Sequence, residues 1–398
     1  MGRQTLHTDI AIFGGGIAGL WTLNQLRNCG YSAVLFEQRA LGSYQTIGSQ
    51  GMIHGGVKYA LAGAWSGSSQ TISAMPDTWR QCLTGEGKVD LRGCRVLSEH
   101  FYLWSSAALQ SRLSSFFASK LLRGRVGKIA AGEYPAALDS ADFRGQVYRL
   151  TDLVIDVPSL LSTLASRHRE AIFAIDWRHA TLQREGRRAV LTLADCTVVP
   201  EQLLLTAGAG NESLIGTLDS RSPAMQRRPL QQVLVRHQYP ESFYGHCIDG
   251  SPAPRLTISS HRCRDGRPVW YLGGELATAG AEEDPAKLID KARAELMELL
   301  PWIDFGETEW ATVRLDRAEP RQAALLRPDS AFVGRLDGVD NALAAWPTKL
   351  TLGPDLADEI ERQLVAADVL PRHQPDLAPL AGLGRPPVAT AYWDTLFP

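Results

Sequence analysis

Hydrophobic and polar residues change their spacing several times along this chain. Near the start, the continuous apolar run at residues 10–13 is typical of a buried strand, and residues 17–27 have the pattern of the helix that follows it. A second apolar run, at residues 32–36, predicts the next strand. This order of strand, helix and strand is the unit from which parallel sheets with covering helices are built.

Further along, the pattern predicts a second kind of sheet. Residues 226–316 alternate apolar and polar positions in short segments, which predicts a mixed, largely antiparallel sheet. A helix is inserted there, with Asp284-Pro285 at its start and Leu300-Pro301 at its end. The other predicted helices are residues 70–83, residues 106–122, and one that Asp156 or Pro158 opens and that runs to about Arg169. The other predicted strands are residues 95–104, 172–175, 180–183, 189–193 and 203–206.

Three glycines lie at the end of the first predicted strand and the start of the helix that follows it. Gly14, Gly16 and Gly19 have the spacing G-x-G-x-x-G, and Glu37 follows the second apolar run. In this pattern the first glycine makes a tight turn, the second lets the helix N-terminus approach a pyrophosphate, and the third lets the helix pack close to the strand. The acid accepts hydrogen bonds from ribose hydroxyls. The sequence therefore predicts a dinucleotide site, and the alternative is a glycine-rich turn without a ligand.

The order of elements predicts the fold class and the domains. We expect an α/β fold (α+β overall), with a Rossmann-like domain on a central parallel sheet and a second, substrate-binding domain on the largely antiparallel sheet. The first domain is expected to be discontinuous, because strands of its kind return after the chain has left it. The predicted segments are 1–75, 151–225 and 320–370 for the first domain, 76–150 and 226–319 for the second, and 371–398 for an irregular C-terminal tail.

Composition narrows the class of protein. The 398 residues are 44% hydrophobic and 21% charged, which is ordinary for a globular chain of two or three domains. The net charge of −2 gives no overall field that attracts nucleic acid. The 6 cysteines form no C-x-x-C pair and no metal-ligand spacing, so we expect reduced thiols, no bound metal and a cytoplasmic protein. We expect neither a secretion leader nor a membrane span, and a monomer by default.

A second loop of small residues distinguishes FAD from NAD. This loop, residues 43–59, follows Glu37 closely, and an NAD-binding domain has no need of it. It resembles the loop beneath the flavin in the D-amino-acid oxidase superfamily of FAD enzymes. Residues 202–210 resemble that family's strand before an A-x-G-A turn, and residues 332–359 resemble its final strand, loop and helix. The resemblance covers most of residues 8–370 and implies a noncovalently bound FAD.

The same resemblance implies which residues contact FAD. They come from the glycine motif, the acid and the residues after it, the second loop, and the two later segments. The implied FAD contacts are Gly14, Gly16, Ile17, Ala18, Gly19, Glu37, Gln38, Arg39, Gln45, Thr46, Ser49, Gln50, Gly51, Met52, Ala180, Ala207, Gly208, Thr348, Lys349, Leu350 and Thr351. The N-terminus of the closing helix would face the flavin edge where negative charge develops on reduction.

Two branches of the superfamily share features with this chain. Residues 53–59 (Ile-His-Gly-Gly-Val-Lys-Tyr) are similar to the I-H-G-G-L-R-Y of FAD-dependent glycerol-3-phosphate dehydrogenases, and residues 349–351 to their K-L-T. Lys58, however, stands where those enzymes have arginine. Residues 228–236 and 269–275 instead resemble the substrate-domain sheet of glycine and sarcosine oxidases. The resemblance therefore implies the cofactor more firmly than the substrate.

Three basic residues are the catalytic candidates, and each has an alternative. Lys349 would lie near the flavin or on an anionic substrate, or it is a solvated loop lysine. Arg314 suits a carboxylate or phosphate, or it forms an ion pair within residues 304–319. His54 would take a proton from a substrate hydroxyl, hydrogen-bond the flavin or carry a covalent flavin link, or it caps the following helix. The expected substrate contacts are Lys58, Tyr59, Tyr271 and Arg314, with the sheet core as the alternative for Tyr271.

The resemblance implies hydride transfer from a substrate C–H to flavin N5, which leaves an imine or a carbonyl. An amine needs only to arrive neutral, whereas an alcohol must also lose a proton, for which His54 is the motif-placed base. We therefore expect an amino acid or amine, with a hydroxy acid or phosphorylated polyol as the alternative and oxygen or a quinone as electron acceptor. A noncatalytic flavin-binding protein is a rival of another class. The basic stretch 112–128 favours a solvated helix over contact with a membrane surface.

Overall fold

The computed structural model describes residues 4–56, 68–105, 126–249, 251, 253–321 and 330–398. Lys58, Tyr59 and the predicted helix at residues 106–122 therefore lie outside the described residues, as does all but the end of the basic stretch 112–128. Within the described ranges, no helix combines the length and the apolar character needed to cross a membrane.

Within the described residues the strands form three sheets, and most of the α-helices are placed between strands in chain order. The strands, in chain order, are β1 (Gln4–Phe13), β2 (Ala33–Glu37), β3 (Met52–Ile53), β4 (Val96–Ser98), β5 (Phe101–Ser105), β6 (Val126–Lys128), β7 (Gln146–Leu150), β8 (Leu153–Ile155), β9 (Ile172–Ala174), β10 (Thr181–Glu185), β11 (Arg188–Thr192), β12 (Cys196–Leu205), β13 (Met225–Arg236), β14 (Tyr244–Ile248), β15 (Leu256–Arg262), β16 (Pro268–Gly273), β17 (Glu309–Pro320), β18 (Phe332–Arg335) and β19 (Ala342–Trp346). The α-helices are α1 (Ile17–Asn28), α2 (Ser68–Thr84), α3 (Val157–Arg167), α4 (Asn211–Thr217), α5 (Glu275–Ala279), α6 (Pro285–Leu299), α7 (Gly353–Ala366) and α8 (Tyr392–Leu396).

In the part of the chain that the structure describes, the first sheet has 8 strands and a parallel centre. Strands β9, β2, β1, β12 and β19 lie side by side and run parallel, while β10, β11 and β18 add antiparallel pairs at the margins. Hydrophobic clusters cover both faces of this sheet, so residues 10–13 of β1 are buried and form a continuous apolar run. The prediction of an α/β fold with a central parallel sheet is confirmed.

One face of this sheet is covered by α1, α2, α3 and α7. The ring centroids of Trp79 in α2 and Trp21 in α1 are 4.7 Å apart. Trp79 Nε1 donates to the carbonyl O of Thr351 at 2.9 Å. From Ile72 to Cys82, α2 packs into this one core, although the predicted domain boundary falls between residues 75 and 76. The division into domains stays a prediction, and this packing argues for a boundary beyond α2.

The second sheet has the order β17-β13-β16-β15-β14-β5-β7-β6 and is antiparallel except between β14 and β5. Its outer face packs on α6 through Leu288, Ala292 and Leu296. Helix α6 begins at Pro285, and the Asp284 side chain caps it by accepting from the backbone N–H groups of Ala286 and Lys287. The predicted mixed, largely antiparallel sheet with an inserted helix is therefore confirmed.

The predicted strand at residues 95–104 is wrong as a single element. It consists of β4 and β5, which belong to different sheets, because the chain bends at Glu99 and His100. The Ser98 hydroxyl holds the bend by a hydrogen bond to the carbonyl O of His100. Apolar residues continue on both sides of this bend, so the hydrophobic pattern alone does not reveal it.

Candidate cofactor and substrate site

A cavity of about 990 Å³ opens at the carboxyl ends of the parallel strands. Its lining includes Phe13 at the end of β1, Glu37 at the end of β2, Thr206 after β12 and Trp346 at the end of β19. Ligands of doubly wound sheets bind at this edge, and the volume is at the upper end of the usual range of ~300–1,000 Å³. The cavity is therefore the candidate site for a large nucleotide.

The glycine motif forms one wall of the cavity. Gly14 has a φ of +109°, and a Cβ there would lie 2.5 Å from the Cα of Ala207. A Cβ on Gly19 would lie 1.9 Å from the carbonyl O of Gly14, so α1 approaches β1 this closely only without a side chain. Gly14 and Gly16 line the cavity, whereas Gly19 lies outside its lining, in the contact between helix and strand.

The N-terminus of α1 is suited to a pyrophosphate. Its N-cap is Gly16, which offers no side chain to the first N–H groups, and its first turn contains no acidic residue. Ile17 and Ala18 line the cavity, and the backbone N–H of Ile17 donates to Thr46 Oγ1 at 3.1 Å. Because a helix N-terminus is electropositive, an anion at this end of α1 meets N–H donors and no opposing negative charge on the helix itself.

The Glu37 carboxylate is held in place by two backbone groups. Its Oε2 accepts from the N–H of Gly15 at 2.7 Å, and its Oε1 accepts from the N–H of Arg39 at 2.8 Å. A carboxylate has about four acceptor positions, so each oxygen can still accept from a ribose hydroxyl. Gln38 and Arg39 line the same part of the cavity, and the Arg39 guanidinium lies 5.1 Å from the centroid of the Tyr44 ring.

Trp177 is a lining residue that the sequence analysis did not identify. It follows β9 and lines the cavity together with Ile175 and Ala180. Since β9 pairs in parallel with β2, the position after β9 comes to lie beside Glu37. An aromatic ring next to Glu37, the predicted acceptor for ribose hydroxyls, is suited to stack on a purine. The available signal was a tryptophan soon after a strand that rejoins the first sheet.

The second loop provides a further part of the lining. The predicted FAD contacts of this loop that line the cavity are Gln45, Thr46 and Ser49, while Gln50, Gly51 and Met52 lie outside the lining. Gln45 Oε1 accepts from the backbone N–H of Ala318 at 3.0 Å, which ties the loop to β17. Gln50 Nε2 donates to the carbonyl O of Tyr271 at 2.7 Å, so this amide links the loop to β16.

The chain after β19 brings Lys349 and Leu350 to the cavity. Lys349 is only 8% exposed, so the alternative of a solvated loop lysine is wrong. Thr348 and Thr351 are buried beside the lining, Thr348 with a φ of +61°. A positively charged side chain buried at the wall of a cavity is suited to bind an anionic ligand there.

The turn after β12 faces the same cavity. Ala207 and Gly208 line it, and Gly208 has a φ of +57° with no atom within 4 Å of where a Cβ would be. Trp346 Nε1 donates to the carbonyl O of Gly208 at 3.1 Å and so joins this turn to β19. The predicted positions in this turn are thus brought together with the glycine motif.

Arg314 lies at the rim of the cavity on β17. Its side chain is 51% exposed, and its Nη2 is 2.7 Å from Oε1 of Glu282. The alternative interpretation of Arg314 predicted an ion-pair partner within residues 304–319, but Glu282 lies outside that stretch. An exposed pair of this kind contributes ~0–1 kcal/mol, so an anionic ligand can compete for the guanidinium.

His54 and Tyr271 lie outside the described lining. His54 is buried, and its backbone N–H donates to Thr351 Oγ1 at 3.3 Å. Tyr271 Oη lies 2.9 Å from Gln232 Oε1 and 3.2 Å from the carbonyl O of Gly48. Complete burial raises the pKa of the Tyr271 phenol. Tyr271 thus occupies the core position given as its alternative, and its contact with substrate stays a prediction.

Comparisons with known proteins agree on one family. The family described as FAD dependent oxidoreductase (DAO) matches residues 9–345. The probable FAD-dependent oxidoreductase PA4991 of Pseudomonas aeruginosa is 48% identical over an alignment of 399 positions that covers 99% of each chain. Its crystal structure superposes with a TM-score of 0.86, at 42% identity over 100% of both chains.

Two more distant structures share the fold. Glycine oxidase from Geobacillus kaustophilus has a TM-score of 0.65 at 16% identity, over 94% of this chain and 98% of its own. L-α-Glycerophosphate oxidase from Mycoplasma pneumoniae, with FAD bound, has a TM-score of 0.63 at 12% identity, over 90% of this chain and 95% of its own.

The fold and the cavity define an FAD-dependent oxidoreductase. The chain belongs to the DAO family of these enzymes, as its motifs predicted. The described residues fit the cofactor: bare backbone at Gly14, Gly16 and Gly208 lines the cavity, the N-terminus of α1 suits the pyrophosphate, and the Glu37 carboxylate suits a ribose.

Proposed function

We propose that this enzyme oxidises the C–N bond of a small amino acid or amine. The observation that carries the proposal is the position of His54, the candidate base for an alcohol, which is buried and outside the described lining of the cavity. A neutral amine gives up its C–H without a protein base, whereas an alcohol must also lose its O–H proton. When bound, FAD supplies the hydride acceptor, and the chain supplies orientation and charge.

Lys349 and Arg314 are proposed to hold the substrate carboxylate. Both line the same cavity, the first buried after β19 and the second at the rim on β17. An ammonium and a guanidinium fork make charge-assisted hydrogen bonds to a carboxylate, and two such contacts fix the orientation of the substrate C–H. The likeness in fold to glycine oxidase supports this substrate class.

A hydroxy acid or a phosphorylated polyol is the second candidate. The same two basic side chains suit a phosphate, and a neighbour in fold is an L-α-glycerophosphate oxidase. In this case His54 would have to take the proton of the substrate hydroxyl. Oxygen or a quinone is the proposed electron acceptor in both cases.

Anaerobic mixing of the holoenzyme with a panel of amino acids, amines, hydroxy acids and glycerol 3-phosphate distinguishes the two candidates. We expect amino acids or amines to bleach the visible flavin absorbance, and we expect a His54→Gln variant to retain that reactivity. Reduction by hydroxy acids or glycerol 3-phosphate alone, lost in His54→Gln, would overturn the proposal. A further result would also count against the proposal: dithionite reduces the flavin, but no member of the panel does.

The FAD is proposed to be noncovalently bound. Acid precipitation of the purified yellow protein is therefore expected to release FAD into the supernatant, where its absorbance and chromatographic retention identify it. The physical reason is that we expect hydrogen bonds and helix-end N–H groups to hold the cofactor, and denaturation abolishes both. Flavin that stays in the pellet would contradict this prediction, and His54 would be the first residue to examine for a covalent link.

Sulfite tests the proposed anion site without a known substrate. Sulfite adds to the flavin more strongly when positive charge lies nearby, so Lys349→Met and Arg314→Met are each expected to weaken its binding by about tenfold. Arg187→Met is the matched control, because Arg187 is exposed, forms an ion pair with Asp340 and does not line this cavity. If both cavity variants bind sulfite as the unaltered enzyme does, the anion site is wrong and a neutral amine is the better substrate.

A further inference from the structure

The C-terminal strap, defined as residues 386–398, touches the loop that lines the FAD cavity. This cofactor loop is residues 41–49, and its cavity-lining members are Ser43, Tyr44, Gln45, Thr46 and Ser49. The backbone N–H of Leu41 donates to the carbonyl O of Pro387 at 2.7 Å, and the N–H of Ala389 donates to the carbonyl O of Leu41 at 2.9 Å. The strap therefore gives the start of the cofactor loop a strand-like partner.

Tyr392 of the strap lies against the middle and the far end of the cofactor loop. Its Oη is 3.5 Å from the carbonyl O of Tyr44, and its ring edge is 3.3 Å from where a Cβ on Gly48 would be. The same Cβ position is 2.3 Å from Leu315, a cavity-lining residue of β17. Because Gly48 has no side chain, the loop, the strap and β17 can approach one another closely at this point.

Trp393 anchors the strap on the second sheet. Its ring stacks on His261 of β15, with centroids 4.0 Å apart and planes at 16°, and both side chains are buried. Burial lowers the pKa of His261 to about 4, so the stacked imidazole is uncharged at neutral pH.

The end of the strap is also docked. Arg236 Nη1 donates to the carbonyl O of Phe397 at 3.2 Å, and its guanidinium lies 5.1 Å from the centroid of the Phe397 ring. Phe397 belongs to the same buried cluster as Trp393 and Leu315. The strap is therefore held on the second sheet by packing and hydrogen bonding over its whole final part.

We propose that Tyr392 and Trp393 are positioning residues that hold the cofactor loop closed on FAD, so that docking of the strap and binding of FAD strengthen each other. The end of a chain is ordinarily among its least protected parts. Here the strap connects the cofactor loop with β17, and FAD would contact both, since both line the cavity. Linkage between two such events is reciprocal. The proposal rests on FAD binding and is independent of the substrate proposed above.

Amide hydrogen exchange tests one direction of this linkage. The N–H groups of Asp394, Thr395 and Phe397 are hydrogen-bonded within the strap. We expect them to exchange about tenfold more slowly in the FAD-bound protein than in the FAD-free protein. Helix α6 packs on the opposite face of the second sheet and is the internal control, whose exchange should change much less. Equal exchange of the strap in the two forms would overturn the proposal.

Variants of the strap test the other direction. Tyr392→Ala and Trp393→Leu are each expected to raise the dissociation constant for FAD by about tenfold, while Trp393→Phe, which keeps a ring to stack on His261, should stay near the unaltered value. Leu396→Ala is the matched control, because Leu396 lies in the same helix and is 37% exposed.

The readout is FAD titration of the FAD-free protein, with its thermal midpoint measured separately. A purely structural role would lower the midpoint and leave the FAD dissociation constant unchanged, and this outcome would contradict the proposal. If Tyr392→Ala does not fold, the linkage is tested with Tyr392→Leu and with the exchange measurement on the unaltered protein.

Discussion

Gly19→Ala is expected to produce a protein that retains little or no FAD. A Cβ at this position would lie 1.9 Å from the carbonyl O of Gly14 and 2.8 Å from Thr206 Oγ1. The first of these atoms is backbone, so no rotation of a side chain relieves the overlap. Helix α1 must instead move away from β1, and overpacking of this kind costs about 1–3 kcal/mol. The movement also displaces the helix N-terminus that suits the pyrophosphate.

Flavin content after gel filtration and the thermal midpoint of unfolding measure this effect. Gly216→Ala is the matched control, because Gly216 lies in α4 with no atom within 4 Å of where its Cβ would be. Alanine is favoured over glycine inside a helix by roughly 0.5–1 kcal/mol, so the control should keep its flavin and be no less stable. Normal flavin content in Gly19→Ala would contradict both the close packing of α1 and the assignment of the pyrophosphate site.

Glu37→Ala is expected to weaken FAD binding by roughly ten- to a hundredfold, the equivalent of ~1.5–3 kcal/mol for hydrogen bonds to a charged group. Two effects contribute. The carboxylate is positioned to accept from ribose hydroxyls, and it also orders the turn through the N–H groups of Gly15 and Arg39. Glu37→Gln keeps one acceptor oxygen, so it should give an intermediate loss.

Binding of cofactor fragments distinguishes the ribose contact from a general loss of structure. ADP contains the adenosine ribose, whereas FMN does not, so Glu37→Ala should weaken ADP binding and leave FMN binding nearly unchanged. Isothermal titration of the FAD-free protein with both fragments provides this measurement. Unchanged affinity for FAD and ADP would show that the Glu37 carboxylate does not contact the ribose.

Short-range sequence patterns were sufficient to predict the strands and helices in which local contacts dominate. The apolar run at residues 10–13 predicts β1 because both faces of that strand are buried, and Asp284-Pro285 predicts the start of α6 because cap and first turn are adjacent in the chain. The spacing of Gly14, Gly16 and Gly19 reflects contacts inside a single strand, turn and helix. Together with the order of the later segments, that spacing was enough to identify an FAD enzyme of the DAO family.

Contacts between distant segments could not be predicted in this way. Arg314 pairs with Glu282 because α5 and the turn after it pack on β13, the strand that pairs with β17. Tyr392 reaches Tyr44 across nearly the whole length of the chain. Trp177 reaches the cavity because β9 joins the sheet next to β2. Lys58 and Tyr59, which lie outside the described residues, stay predictions as substrate contacts.

The sequence by itself determined which segments form the first strands of the parallel sheet and which cofactor the protein binds, and it predicted which turn would hold the pyrophosphate. Only the tertiary structure decided that Lys349 is buried at the cavity, that Tyr271 lies in the core and that the C-terminal strap packs on the cofactor loop. The physical reason is that hydrophobic periodicity reports which face of an element is buried. The partner that buries it is set by sheet order and side-chain packing, which arise only when the whole chain is folded.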